Sequence, residues 1–134
     1  MLAFWFGSLD HGLRFAKRAA LDTAILLGFR DVHERIAATA EANRSQLLQG
    51  PETALAAVIA LDQFPRNMFR GSARAFATDP LALVVSREMV ESGLDRALDK
   101  DGRLFCYLPF EHSERLADQQ RAVELISSLG DAEL

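Results

Sequence analysis

Eight consecutive apolar residues, Ala54–Leu61 (ALAAVIAL), follow the helix-start signal Gly50-Pro51-Glu52, which sets proline in the first turn and an acid near the positive dipole end. A helix that is apolar around its whole circumference must be enclosed by other elements. Ala54, Ala56, Ala57 and Ala60 let those neighbours approach closely, so this reads as the buried central helix. Asp62 comes seven residues after Leu55, four after Val58 and three after Ile59, and therefore projects from an inward face. A buried carboxylate without a partner is costly. Arg66, four residues on, is the nearest candidate, in the favourable acid-to-base order.

The stretch that follows, Leu61–Asp79 (LDQFPRNMFRGSARAFATD), sets Asp62, Gln63, Arg66, Asn67, Arg70 and Arg74 among Phe64, Met68, Phe69 and Phe76. It is too polar for an ordinary core and too aromatic for an ordinary loop. Pro65 either kinks the central helix or starts a new short turn, because it removes one backbone donor and restricts Phe64. Arg66, Arg70 and Arg74 recur at steps of four, and like charges at that spacing repel unless acids or a bound anion sit opposite. Gly71 and Ser72 end the turn. Thr78-Asp79-Pro80 then starts another helix, with Asp79 as N-cap and Pro80 at the first helical position. That helix carries Leu81, Val84, Val85 and Met89 inward and Arg87, Glu88 and Glu91 toward solvent, and stops at Gly93.

Upstream, Phe4, Trp5 and Phe6 clamp the start of the chain onto the body. Between Leu13 and Ala42, Phe15, Leu21, Ile25, Phe29, Val32, Ile36 and Ala40 recur at helical spacing, giving one long helix or two broken near Gly28. His33, beside that stripe, and His11, in a loop, have no partner at ligand spacing and read as ordinary histidines. Glu41–Gly50 is a helix end plus a connection. Downstream, Asp99–Arg103 reads as a polar turn before the apolar piece LFCYL, and Pro109 opens a last helix ending at Gly130. Its buried side is Leu116, Ala122, Val123, Leu125, Ile126 and Leu129, while Glu111, Glu114 and Asp118 form a carboxylate stripe that could face the three arginines. No strand pair, hairpin turn or fixed-period repeat is evident.

At 134 residues the chain reads as one helical domain, 1–134, able to bury roughly two thirds of its unfolded surface. The single cysteine, Cys106, excludes an internal disulfide, no Cys/His spacing suits structural zinc, and a reducing cytoplasm fits best. The opening MLAFWFG lacks a basic leader, and Ala54–Leu61 falls far short of the roughly 20 residues of a spanning helix, so no membrane segment is expected. A net charge of -4 argues against a nucleic-acid partner. No signal of oligomeric state is present.

Three strings carry a family resemblance: Leu61–Leu83 (LDQFPRNMFRGSARAFATDPLAL), Leu108–Leu125 (LPFEHSERLADQQRAVEL) and Phe4–Gly7 (FWFG). In order and over nearly the whole chain they resemble the bacterial family known as domain of unknown function 924. The resemblance implies an all-α fold of stacked antiparallel helix pairs, similar to tetratricopeptide-repeat proteins, and it implies no activity. The family pattern falls on Asp62, Gln63, Phe64, Pro65, Arg66, Asn67, Arg70, Phe76, Asp79, Pro109, His112, Glu114 and Gln119. Relatives usually continue into a further helical segment rich in Arg, His and Asn. A site completed by such a segment would be incomplete or differently built here.

Several chemistries can be set aside. Ser113 adjoins His112, but adjacency on a helix points the two side chains about 100 degrees apart, which suits no nucleophilic pair. Neither HExxH nor facing Glu-x-x-His pairs occur, and no phosphate-cradling glycine loop is found. The sequence therefore assigns no catalytic residue, no metal and no cofactor. The candidate set is Asp62, Gln63, Arg66, Asn67, Arg70, Arg74, His112 and Glu114. It reads in two ways. In the first, Asp62, Arg66, Arg70 and Glu114 form a buried ionic lattice that fixes helix register inside a protein- or peptide-binding module. In the second, Arg66, Arg70 and Arg74 grip a small carboxylate or phosphate ligand, with His112 as acid/base.

Overall fold

A computed structural model of the chain describes the backbone of residues 2–9 and 15–131 and the side chains of residues 2–6 and 20–130; His11, Leu13 and the side chain of Phe15 lie outside that set. The described chain is all-helical, with seven α-helices and no strand. These are α1 (Leu2–Leu9), α2 (Phe15–Ala42), α3 (Pro51–Asp62), α4 (Phe64–Met68), α5 (Asp79–Ser92), α6 (Lys100–His112) and α7 (Leu116–Asp131), with 3-10 turns at Arg44–Leu48, Ala73–Phe76 and Leu94–Ala97.

The apolar run is the centre, as its composition requires. Helix α3 packs against α2, α5 and α6, and Ala54, Leu55 and every residue from Ala57 to Asp62 are buried. Trp5 closes one side of this core, with its ring 5.7 Å from Phe64 and 5.6 Å from Phe105. Helix α2 runs unbroken through Gly28, so the single-helix alternative holds. His33 is a satisfied core histidine, with Nδ1 2.8 Å from the Ala60 carbonyl oxygen. Pro65 begins the short α4 instead of kinking α3, with Gln63 between the two helices.

Four boundary expectations are corrected. Thr78, not Asp79, occupies the N-cap position of α5, without a side-chain capping bond, and Asp79 is the first helical residue, with its carboxylate on Arg66. Asp99–Arg103 is no free turn: Asp99 Oδ1 accepts from the Gly102 amide at 2.8 Å and caps α6. Pro109 lies inside α6, near its end, where one lost backbone bond is tolerated, and the break comes at Ser113–Arg115. The break starts α7 at Leu116, and its buried side is narrower than expected. Ala122, Leu129 and Asp118 are buried, whereas Leu116 and Val123 are 68% and 66% exposed. The same break splits the carboxylate stripe, leaving Glu111 on α6, Glu114 in the link and Asp118 on α7.

Candidate functional site

Asp62 ends the central helix and is 0% exposed, so its charge has to be met by protein groups. Gln63 Nε2 donates to Oδ2 at 2.7 Å, and His112 Nδ1 stands 2.8 Å from Oδ1. Arg66 Nη1 is 3.5 Å from the same Oδ1 and also donates to the Asp62 main-chain carbonyl. The Arg66 fork then turns to Asp79, with Nη1 to Oδ1 at 2.9 Å and Nη2 to Oδ2 at 3.0 Å. Its planar group lies 5.2 Å from the Phe76 ring centroid. Thr78 Oγ1 donates to the Leu61 carbonyl oxygen at 2.7 Å, tying the start of α5 to the end of α3. The result joins α3, α4, α5 and α6 through one buried carboxylate.

A second knot sits beside it. Arg70 reaches back to α2 and holds Asp22 through Nε and Nη2 at 2.7 and 2.9 Å, while Asn67 Nδ2 donates to the same carboxylate at 2.8 Å. Those Asp22 hydrogen bonds raise the Arg70 guanidinium above its ordinary value, against the effect of burial. Arg66 and Arg70 thus coexist four residues apart because each owns an acid: Arg66 has Asp79 and Asp62, and Arg70 has Asp22. Arg74 joins neither knot, and its guanidinium stacks 4.0 Å from the Phe69 ring centroid. Glu114 also stands apart. The expected lattice of Asp62, Arg66, Arg70 and Glu114 is replaced by two separate knots, with Asp79 and Asp22 in the place given to Glu114. Asp22 lies 48 residues from Arg70, and nothing local in the sequence marks it.

His112 is where the buried network meets an opening. With Asp79 it lines a cleft of about 430 Å³ that has an apolar wall of Phe76, Pro80, Leu83 and Pro109 and a polar rim of Ser113, Glu114 and Arg115. Asp62, already holding Gln63 and Arg66, is an acceptor, so the Nδ1 facing it carries the proton and a neutral His112 keeps its lone pair on Nε2. Among the described residues no group bonds Nε2. Ser113 is no nucleophile for this imidazole. Its Oγ donates to Asp118 Oδ2 at 2.7 Å and accepts from the Arg115 amide at 3.1 Å. Of the candidate set, only His112 and Glu114 line the cleft, while Asp62, Gln63 and Arg66 lie behind it in the network that holds His112. Among the described residues no cluster of His, Cys, Asp and Glu is arranged to hold a metal ion, and no helix is long and apolar enough to cross a membrane.

The model of a family described as bacterial protein of unknown function (DUF924) matches residues 1–133. A solved protein of unknown function from Agrobacterium tumefaciens is similar to this chain at 46% identity and a TM-score of 0.73, over 83% of this chain and 61% of that one. The chain thus spans less than two thirds of that relative's length. No curated protein matches.

Proposed function

The chain belongs to the DUF924 family of bacterial proteins of unknown function, and for it we propose a small-molecule site in the cleft beside His112, with the arginine motif as its foundation. The observation that carries this reading is the contact of His112 Nδ1 with Asp62 at 2.8 Å, with Asp62 wholly buried behind it. A buried carboxylate that fixes an imidazole's tautomer and aims its free nitrogen is the arrangement that general acid–base sites use. The cleft volume is within the ordinary range of small-ligand pockets, roughly 300–1,000 Å³. Its apolar wall and polar rim suit a ligand with a hydrophobic body and one hydrogen-bonding head. Arg66 and Arg70 are already paired with carboxylates, so in this reading they anchor helices and the ligand is held in the cleft. The test is a thermal-shift screen of polar metabolites with apolar moieties, run on wild type and His112→Ala. Ligands that stabilise wild type should lose their effect in the variant; stabilisation of both proteins alike, or of neither by any compound, defeats the proposal.

A second reading, a docked protein or peptide partner, draws on the outer face of α7. Leu116 and Val123 stand exposed there, and a shallow groove of about 410 Å³ runs past Ala122, Val123 and Ile126. Replacing Leu116 and Val123 with Gln should abolish any partner recovered with wild type, and unchanged recovery would refute the docking face. A cytoplasmic setting is part of the same proposal, resting on a chain whose one cysteine, Cys106, is a free thiol.

A further inference from the structure

Two further arginines without a carboxylate line a different cavity. A cavity of about 460 Å³ opens between the Leu94–Ala97 turn, the first turns of α6 and the middle of α7, and Arg96, Arg103 and Arg121 all line it. Arg121 is bound to Glu124 at 3.0 Å, while Arg96 and Arg103 have no acid partner among the described residues. Asp95 and Glu124 are the acids on the wall, so three guanidiniums stand against two carboxylates. Unlike an exposed basic patch, this one is braced from beneath. Tyr107, fully buried, donates its hydroxyl to Asp95 Oδ2 at 2.6 Å and accepts from Arg103 Nε at 3.1 Å. Burial first, and then the Asp95 hydrogen bond, push this phenol up to about 12, so it remains a donor to Asp95 and an acceptor for Arg103. Among the described residues Nε is the one hydrogen-bonded nitrogen of Arg103, whose guanidinium also lies 5.9 Å from the Tyr107 ring centroid, and both terminal nitrogens of its fork are left for a ligand.

We propose that this cavity is a second binding site, for a small oxyanion, gripped by Arg96 and the Tyr107-braced Arg103. Phosphate and carboxylate groups share the fork geometry that such a pair recognises. Holding one guanidinium in place before binding lowers the ordering cost of the complex. Anion binding would also offset the excess positive charge of a wall with three guanidiniums and two carboxylates. Asp95 keeps the phenol aligned and is a positioning residue; its Oδ1 is enclosed and receives no donor from the described residues.

The test is an NMR titration of the full chain at constant ionic strength, with inorganic phosphate in one arm and succinate in the other. Saturable shifts are expected at the amides of Arg96, Arg103 and Tyr107 in at least one arm, and the arm that saturates names the headgroup. Losing a charge-assisted fork contact should weaken binding about tenfold in Arg96→Met and in Arg103→Met. Arg96 is exposed, so its variant tests the site without disturbing the core. Arg74→Met and His112→Ala should titrate like wild type, which separates this site from the His112 cleft. Shifts that never saturate in either arm, or that survive unchanged in Arg96→Met and Arg103→Met, overturn the proposal.

Discussion

Single residues in this chain act through the company they keep, and the arginines show it most plainly. Arg66 and Arg70 share a motif, yet their environments differ. The Arg66 side chain is 23% exposed and holds two acids, whereas that of Arg70 is 41% exposed and holds one. A partly solvated pair is weakened by water and salt, so Arg70→Met should cost at most about 1 kcal/mol, and less as salt is added. Denaturant unfolding at low and high sodium chloride checks this. The reach of Asp62 toward Arg66 was legible in the sequence because both groups lie within one turn of each other. Asp22 was not, because its link to Arg70 depends on how α2 folds back over α4. Asp79 was misassigned for a simpler reason: an acid before proline at a helix start suits the N-cap and the first turn almost equally, and only tertiary contact with Arg66 decides.

At the scale of elements, α3 and α5 follow from local pattern, while the α6–α7 corner does not. Proline normally marks a helix start, but Pro109 sits where α6 has already been nucleated by its Asp99 cap. The corner is held by polar ties that spacing alone does not reveal. Asp118 on α7 meets Arg87 of α5 at 2.7 Å and the Ser113 hydroxyl at 2.7 Å. Burial works against the Asp118 charge, but the Ser113 and Arg87 hydrogen bonds and the Arg87 and Arg115 charges together hold its carboxyl below the ordinary value. A lowered folded value means that its stabilisation is complete above the ordinary carboxylate value, about 3.9, and is lost as pH falls through the folded one. Asp118→Asn should therefore lower the unfolding midpoint at neutral pH and leave it less sensitive to acid, as a midpoint-versus-pH series would show. Two glycines offer an opposite pair of tests. Gly28 lies mid-helix with open space where a Cβ would sit, so Gly28→Ala should stabilise by about 0.5–1 kcal/mol. Gly93 ends α5 at φ 79, where Gly93→Ala should destabilise by about 1 kcal/mol in the same denaturant assay.

The molecule as a whole places an enclosed apolar helix at its centre and carries its most deeply buried carboxylate, Asp62, at that helix's C-terminal end, with Asp95 and Asp118 buried elsewhere. The all-helical class was legible from periodicity and from one run of eight apolar residues. The division of labour within the polar motif was not, because sequence gives the number of charges but not their pairing. Paired, Arg66 locks α3, α4 and α5 together, and His112 and Asp79 are the members of the network that face a cleft. The direct test of that division is the thermal unfolding midpoint of Arg66→Met beside His112→Asn. Removing Arg66 leaves two carboxylates without their shared cation and should cost about 3 kcal/mol, a midpoint drop of roughly 10 °C for a chain of this size. Removing His112 vacates one bond on Asp62 that the Arg66 group nearby can partly replace, and should cost about 1 kcal/mol, or roughly 3–4 °C. A drop for His112→Asn that equals or exceeds that of Arg66→Met would contradict the account, making the histidine a structural member of the lattice.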